Sequence, residues 1–277
     1  MLISLPEPQE FGELRNSFLN ALPFPYLVAD DFLQDSEILS KSFPEIGWNG
    51  WHALGDTYQH NKFTCSNPDL FPKELSEIID ELSSPRFLNF LEKVTGIEKL
   101  IPDPYLEGGG LHLSTGGGIL SPHTDFHIYE RLGLYRRINL ILYLNENWVV
   151  GDGGELELSV PGDLTPIALV EPMQGRIVLF QTDDLSVHGF RNPVRLGTER
   201  RSIALYYYTS EETSIFSGDQ TTRWRDHGTI KSFSKFRFLL YKILLRISRA
   251  FSIVAQIINP NQGIGLVKSR LHQRNKS

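Results

Sequence analysis

Two stretches decide the fold of this chain, GILSPHTDF at 118–126 and RINLILYLN at 137–145. Both are short apolar or alternating runs rich in β-branched and aromatic side chains, which is the pattern of β-strands. Similar runs surround them, and turn residues such as those of 151–154 separate them. These runs are LHLST at 111–115, ELELSV at 155–160, PIALVE at 166–171, RIVLFQ at 176–181, SVHGF at 186–190 and RSIALYYYT at 201–209. About eight short strands predict an antiparallel sandwich or barrel; eight is the jelly-roll number, and another all-β sandwich is the alternative.

The first hundred residues have a mixed pattern. FPYLVADDFL at 24–33 predicts a short strand that runs into a turn. Apolar residues at helical spacing predict a helix over 73–82, and a second helix over 83–96 has Ser84 as its cap and Gly96 at its end. The sequence therefore predicts an α+β fold in which helices flank an antiparallel β core, with the double-stranded β-helix (jelly roll) and another all-β sandwich as its two alternatives.

The C-terminal part is basic and has a helical pattern. From Arg223 onward there are twelve lysines and arginines and one acid, Asp226, although the whole chain has a net charge of −6. Residues 236–258 are strongly apolar but contain four cations, which disfavours a membrane-spanning helix. The cations leave a wide apolar face, which is typical of a helix that packs on its domain or lies on a membrane surface. We predict a basic amphipathic helical tail over 229–277, with an anionic membrane or an acidic partner as its contact.

Composition favours a reducing compartment. Prolines and glutamates occupy the N-terminal stretch where a signal peptide would need a basic start and an apolar run. Cys65 is the single cysteine, so an internal disulfide is excluded. We therefore predict a cytoplasmic location, and we expect no nucleic-acid partner.

The segment His123-Thr124-Asp125 predicts a metal site. Alternate residues of a strand share a face, so this imidazole and this carboxylate can bind the same ion. Two histidines and one carboxylate on one face of a metal, with open positions opposite, are the arrangement of non-haem Fe(II) oxygenases. His188, late in the β-rich region, is the best donor of the third ligand. His127 is the rival, but three alternate residues of one strand lie nearly in line, about 6–7 Å apart, so we assign it to a position beside the metal site or to substrate contact, with a surface position as the alternative.

A second group of polar residues predicts a carboxylate site. Arg200 and Ser202 share a strand face, and the planar fork of an arginine suits a carboxylate. The inward face of 137–145 would present Arg137, Asn139 and Tyr143. The Tyr143 phenol could bond the same carboxylate, and Asn139 could orient the metal site or the co-substrate; a place in the core is the alternative for both.

These motifs together resemble one family. HTDF, RINLILYLNENW, GGELEL, GRIVLF, HG and RRSIALYYYT occur in order over about 105–210 and are similar to the prolyl-4-hydroxylase-like branch of the Fe(II)/2-oxoglutarate dioxygenases, of bacterial type. The resemblance implies that His123, Asp125 and His188 bind Fe(II). It also implies that Arg200, Ser202 and Tyr143 bind the distal carboxylate of 2-oxoglutarate. One departure is Leu113, where some relatives have a second tyrosine.

The resemblance also implies a function and a set of cofactors. The predicted enzyme hydroxylates a C–H bond of a peptidyl substrate, with prolyl residues as one candidate, or of a small molecule, and releases succinate and CO2. Its cofactor and co-substrates would be Fe(II), 2-oxoglutarate and O2, with ascorbate as an optional reductant, and no catalytic residue beyond the metal centre is expected. Candidate substrate-lining residues are Arg137, His127, Lys62 and Trp51, each with a surface position as the alternative.

The predicted domain organisation follows from the same motifs and from the change in sequence pattern along the chain. We predict a single oxygenase domain over 1–228, with a mixed helical part over 1–104 and the jelly-roll core over 105–228, followed by the tail. The alternative function is a non-catalytic jelly-roll binding protein that the basic tail tethers to a membrane or an acidic partner.

Overall fold

The computed structural model describes residues 2–30, 32–211 and 222–225, and isolated positions between 236 and 258. Two short 3-10 helices lie at Pro8–Glu10 and Pro68–Leu70. The α-helices in this part of the chain are α1 (Phe11–Asn20), α2 (Ser36–Ser42), α3 (Lys73–Leu82) and α4 (Pro85–Thr95). The strands are β1 (Tyr26–Ala29), β2 (His52–Leu54), β3 (Gln59–Cys65), β4 (Ile101–Pro102), β5 (Gly110–Thr124), β6 (Ile128–Tyr129), β7 (Leu134–Tyr143), β8 (Leu156–Val160), β9 (Asp163–Val170), β10 (Ile177–Gln181), β11 (Val187–Phe190), β12 (Glu199–Thr209) and β13 (Arg223–Trp224).

These strands form one antiparallel sheet that curls into a nearly closed barrel. Its main path has the order β1-β10-β7-β12-β5-β11-β8-β9, and β3 and β13 also pair with β5. The long crossings in this order bring β5, β11 and β12 side by side although they are far apart in sequence. The predicted jelly-roll core with flanking helices is confirmed.

The two strands predicted over 111–115 and 118–126 are one continuous strand, β5. Gly116–Gly118 bend it without ending it, because Gly117 has a φ of +79°, which glycine adopts at little cost. The pairing of β5 with β3 shifts register near this bend, between His60 and Lys62. The bend lets one strand contribute to both ends of the cavity described below.

The predicted helices over 73–82 and 83–96 correspond to α3 and α4. The Ser84 hydroxyl accepts a hydrogen bond from the Phe87 N–H at 3.3 Å, and Gly96 ends α4 in the left-handed region with a φ of +75°. Their apolar faces are buried against the sheet, and the Tyr207 hydroxyl of β12 donates to the Leu82 carbonyl at 2.9 Å. Each such fully buried leucine or phenylalanine contributes about 1.5–3 kcal/mol, so this face fixes the helices to the sheet.

The chain divides into two compact units, Met1–His227 and Gly228–Ser277. Most of the predicted tail over 229–277 lies outside the described residues. The positions described between 236 and 258 are helical, and their large apolar side chains, among them Phe236, Leu240 and Ile247, are exposed. In the described part of the chain, no helix is long and apolar enough to cross a membrane.

Candidate metal centre and co-substrate cavity

Three buried side chains converge where β5 and β11 pair. His123 of β5 lies directly opposite His188 of β11, and the centroids of their imidazole rings are 4.4 Å apart. Asp125 follows the end of β5, and the potential ligand atoms of all three residues lie within 4.8 Å of one another. The structure thus brings together the three residues that the H-x-D motif and the late histidine predict.

The protonation pattern of both histidines suits metal binding. The Nδ1 of His123 lies 2.9 Å from the Ser121 carbonyl, and the Nδ1 of His188 lies 3.0 Å from the Ser186 carbonyl. Because a carbonyl only accepts, each Nδ1 must carry the proton, which leaves the Nε2 lone pair free. These Nε2 atoms face Asp125, each 3.6 Å from one of its carboxylate oxygens.

The Asp125 carboxylate is held by two donors. Its Oδ2 accepts a hydrogen bond from the Asn139 amide nitrogen at 2.5 Å and an ion pair from the Arg136 Nη1 at 3.0 Å. Asn139 is itself oriented by Thr182, whose hydroxyl donates to the Asn139 Oδ1 at 3.1 Å. Since both donors bind Oδ2, Oδ1 is available to a metal. Asn139 therefore lies where it can orient the metal site.

The donor set fits a divalent metal ion such as Fe(II). Burial would raise the pKa of Asp125, but the Arg136 guanidinium and the neighbouring histidines hold it well below its usual range. Burial and the adjacent His123 lower the pKa of His188 to about 4. The carboxylate is therefore ionised and His188 neutral at pH 7, as metal ligation requires.

Sequence reasoning missed Arg136. Strand alternation points to Arg137 as the inward residue, but the pairing of β7 with β12 has a bulge, so that Tyr207 faces Ile138 and Tyr208 faces Arg136. Arg137 is left outside the cavity lining and donates to the Thr209 hydroxyl at 3.2 Å.

The fully buried guanidinium of Arg136 is sandwiched between two rings. Its Cζ lies 3.8 Å from the Phe126 ring centroid and 3.6 Å from that of Tyr206. Burial in this position places a fixed positive charge beside the carboxylate of Asp125. The sequence has no local signal for it, because a bulge depends on the partner strand.

His127 occupies a different place from the triad. Its side chain is fully buried and its Nδ1 lies 3.5 Å from the Asp184 carboxylate. It is not among the residues that line the cavity. His188, which lies on another strand, supplies the third donor instead.

Arg200 is the principal cation at the far side of the cavity. Its Nε donates to the Gly154 carbonyl at 2.7 Å and its Nη2 donates to the Tyr143 hydroxyl at 2.9 Å. Its Cζ lies 4.4 Å from the Phe190 ring centroid. Tyr143 is fully buried and is absent from the cavity lining, so it acts through Arg200 by holding the guanidinium. Ser202, two residues along β12, lines the cavity as the shared strand face predicts.

The cavity has a volume of about 340 Å³ and contains both the triad and Arg200. Leu113 is buried in the core, whereas its neighbours His112 and Ser114 line the cavity. Leu113 therefore lies on the core face of β5, and the opposite face, which borders the cavity, is polar. The lining residues also include Lys62, whereas Trp51 packs against the apolar core.

Trp224 lines the cavity beside the triad. It pairs with His123 through β13, and the centroids of the two rings are 4.8 Å apart. Its indole also stacks on Tyr58 at 4.9 Å. The sequence gives little indication of this residue, because a two-residue strand has no recognisable pattern.

Comparisons with known proteins agree with this geometry. The profile of the 2OG-Fe(II) oxygenase superfamily matches residues 109–208, which include the triad, Asn139, Tyr143, Arg200 and Ser202. A prolyl 3,4-dihydroxylase OGFOD1 of Ostreococcus tauri is 27% identical over 217 residues, which are 71% of this chain. The chain spans 40% of the length of that curated relative.

A solved structure shares the fold. The non-haem α-ketoglutarate-dependent epimerase SnoN from nogalamycin biosynthesis superposes with a TM-score of 0.52 at 13% identity, over 82% of this chain and 89% of the epimerase. A prolyl-4-hydroxylase of Pseudomonas putida aligns at 17% identity over 70% of this chain and 98% of its own, with a TM-score of 0.47. The jelly roll, the triad and the sequence profile agree, and over residues 109–208 this chain is similar to the 2OG-Fe(II) oxygenase superfamily, with a prolyl hydroxylase among its relatives.

Proposed function

We propose that this protein is a hydroxylase that inserts oxygen into a C–H bond of a peptidyl prolyl residue or of a small molecule, releasing succinate and CO2. The observation that carries the proposal is the presence of His123, Asp125, His188 and Arg200 in one cavity. The similarity of residues 109–208 to that superfamily implies Fe(II), 2-oxoglutarate and O2. Fe(II), when bound, supplies the activation of O2 and couples the decarboxylation of 2-oxoglutarate to C–H oxidation.

The residues of this chain provide the binding and orientation. The triad would hold Fe(II) through two Nε2 atoms and one carboxylate oxygen, a donor set that would leave room for the co-substrate and O2. The outer end of the Arg200 guanidinium faces the cavity and would bind the distal carboxylate of 2-oxoglutarate. Asn139 and Tyr143 act indirectly: Asn139 orients Asp125 by a hydrogen bond, and Tyr143 holds the guanidinium of Arg200.

The substrate proposal is supported by the relatives and by the cavity. The curated relative acts on prolyl residues by its name, and a small cavity fits one side chain or ring beside the co-substrate. The aromatic rings of Trp224, Phe126 and Tyr206 line the cavity, and such faces pack against a ring and exclude water.

A spectroscopic experiment tests the oxygenase proposal. The full chain is loaded anaerobically with Fe(II) and 2-oxoglutarate, and we expect a visible charge-transfer band. H188Q removes the third ligand and should lose the band, whereas H127Q, which alters the rival histidine, should keep it. Wild-type protein without the band would contradict the proposal, and loss of the band only in H127Q would contradict the ligand set.

A turnover screen then identifies the substrate class. Succinate release is measured over prolyl peptides, free amino acids, and glycan or lipid precursors, with D125A as the inactive control. We expect release above the uncoupled background with prolyl peptides. Stimulation by a small molecule alone would redirect the substrate proposal while leaving the oxygenase class in place.

For the tail we propose contact with an anionic membrane surface. Support comes from the exposed apolar side chains at the described helical positions and from the cations between them in sequence. Vesicles with and without phosphatidylserine are co-sedimented with the full chain and with a chain that ends at Gly228. Equal sedimentation of the two proteins would refute the proposal. Cytoplasmic location stays a prediction.

A further inference from the structure

Three neighbouring strands present a row of polar side chains on the floor of the cavity. Arg200 of β12 pairs with Ser114 of β5, and Ser114 pairs with Lys62 of β3. All three residues line the cavity. Adjacent strands are about 4.7–4.9 Å apart, so the Cα atoms of Lys62 and Arg200 are separated by about 10 Å across Ser114. Two long cationic side chains on such a row can reach a group bound between them.

Lys62 has acids near it, Asp125 and Asp56, but neither is in direct contact with its ammonium. Its ammonium makes no hydrogen bond or ion pair with any residue in 2–30, 32–211 or 222–225. It is half-buried, and burial together with the nearby Arg200 lowers its pKa to about 8. A cation so placed, beside a second cation, favours an anionic ligand.

Arg200 cannot satisfy a bound carboxylate by itself. Gly154 and Tyr143 occupy its Nε and one position on Nη2, so that only the outer end of the guanidinium remains for a ligand. An ionised carboxylate has about four acceptor positions. The nearest further donors on the same face are the Ser114 and Ser202 hydroxyls and the Lys62 ammonium, all of which line the cavity.

We propose that Lys62 is a second cation of the co-substrate site and binds the distal carboxylate of 2-oxoglutarate together with Arg200, across Ser114. This inference rests on the proposed function, because it names a residue that positions the co-substrate of that reaction. The carboxylate separates two charges that otherwise repel each other in an enclosed space, so binding gains from both. A charge-assisted hydrogen bond of this kind changes affinity by about 10- to 100-fold.

The experiment measures co-substrate binding without turnover. Full-length protein is loaded with Mn(II), and calorimetry gives the dissociation constants of 2-oxoglutarate and of 2-oxopentanoate, which lacks the distal carboxylate. We expect K62M and K62Q to bind 2-oxoglutarate about 10- to 100-fold more weakly than wild type and to bind 2-oxopentanoate equally well. K62R, which restores the charge, should recover most of the affinity. K73M removes an exposed lysine on α3 and should match wild type for both ligands.

The outcomes separate this inference from the proposed function. If wild type binds 2-oxoglutarate and K62M and K62Q bind it equally well, Lys62 is not part of the site. If both variants lose affinity for both ligands to the same extent, Lys62 affects binding of the keto acid group at the metal or the fold of the protein, and the inference is also wrong. If Mn(II)-loaded wild type does not bind 2-oxoglutarate at all, the proposed function itself fails. Circular dichroism of each variant confirms that the comparison is between folded proteins.

Discussion

Replacing Asn139 with alanine is expected to weaken metal binding although Asn139 is not a ligand. Its amide donates to the Asp125 Oδ2 at 2.5 Å, and this bond, with the Arg136 ion pair, holds the carboxylate so that Oδ1 faces His123 and Oδ2 lies beside His188. Without the amide, the carboxylate can turn towards Arg136, and metal binding must then reorient it. Residues that orient a metal ligand in this way usually affect metal affinity by about 10- to 100-fold.

The magnitude follows from the hydrogen bonds that are lost. A bond to a charged group contributes about 1.5–3 kcal/mol, which corresponds to about 10- to 100-fold in a dissociation constant. The Thr182 hydroxyl acts on Asp125 only through Asn139, whose carbonyl oxygen it donates to at 3.1 Å, so T182A should give a smaller loss. The expected order of Mn(II) affinity is therefore wild type, T182A, N139A.

The assay is a Mn(II) titration followed by the electron paramagnetic resonance signal of the free ion. Asn145 gives a matched control, since it is another buried asparagine just beyond β7 whose partners are Pro172 and Arg201, away from the triad. N145A should lower the melting temperature and leave the Mn(II) dissociation constant within about two-fold of wild type, because it orients no ligand. Equal Mn(II) affinity of N139A and wild type would refute the role of Asn139, and equal losses in N139A and N145A would reduce it to a general effect on folding.

Three further outcomes are expected. Y143F removes the hydroxyl that accepts from Arg200 and should raise the KM for 2-oxoglutarate by about 10-fold with little change in kcat, as measured by succinate release; a change in kcat alone would contradict this role. R136M breaks a buried ion pair and should lower the free energy of unfolding by about 3–5 kcal/mol in urea titrations, whereas a loss below about 1 kcal/mol would show that the pair is not stabilising. The protonated form of Lys62 binds the anion, so the affinity for 2-oxoglutarate should fall as pH rises through about 8 in wild type but not in K62Q. The charged groups around Lys62 are Arg200, Asp125 and Asp56. An equal fall in both proteins would show that a group other than Lys62 causes the pH dependence.

The three candidate metal ligands could be predicted because two of them follow from strand alternation and the third from the topology of the fold. His123 and Asp125 share a strand face by alternation, and His188 lies late enough in the β-rich region for a jelly roll to return it beside β5. The structure places His188 directly opposite His123, so the reasoning from topology succeeded. The helices over 73–82 and 83–96 were predictable for the same reason, since their caps and apolar spacing are local signals.

The remaining parts of the site depend on long-range pairing. Arg136 replaces Arg137 in the cavity because of a bulge that only the register with β12 defines. β3 has the sequence QHNKFTC, which does not alternate, and its pairing with β5 is what brings Lys62 to the cavity. Trp224 reaches His123 through a strand of two residues. None of these contacts leaves a pattern in the local sequence, so composition and periodicity could not identify them.

The charges of the cavity explain why a dianionic keto acid is the ligand that it favours. Among the described residues that line the cavity, Asp125 is the only acid, whereas Arg136, Arg200 and Lys62 are cations. The charge of Asp125 is already shared with Arg136, so a divalent metal at the triad adds to an excess of positive charge. A ligand with one carboxylate at the metal and another near Arg200 and Lys62 neutralises both ends, and a monocarboxylate neutralises only one. The binding of the metal and of the co-substrate is therefore coupled through the electrostatic field of these charges. Each ligand then raises the affinity of the protein for the other by the same factor.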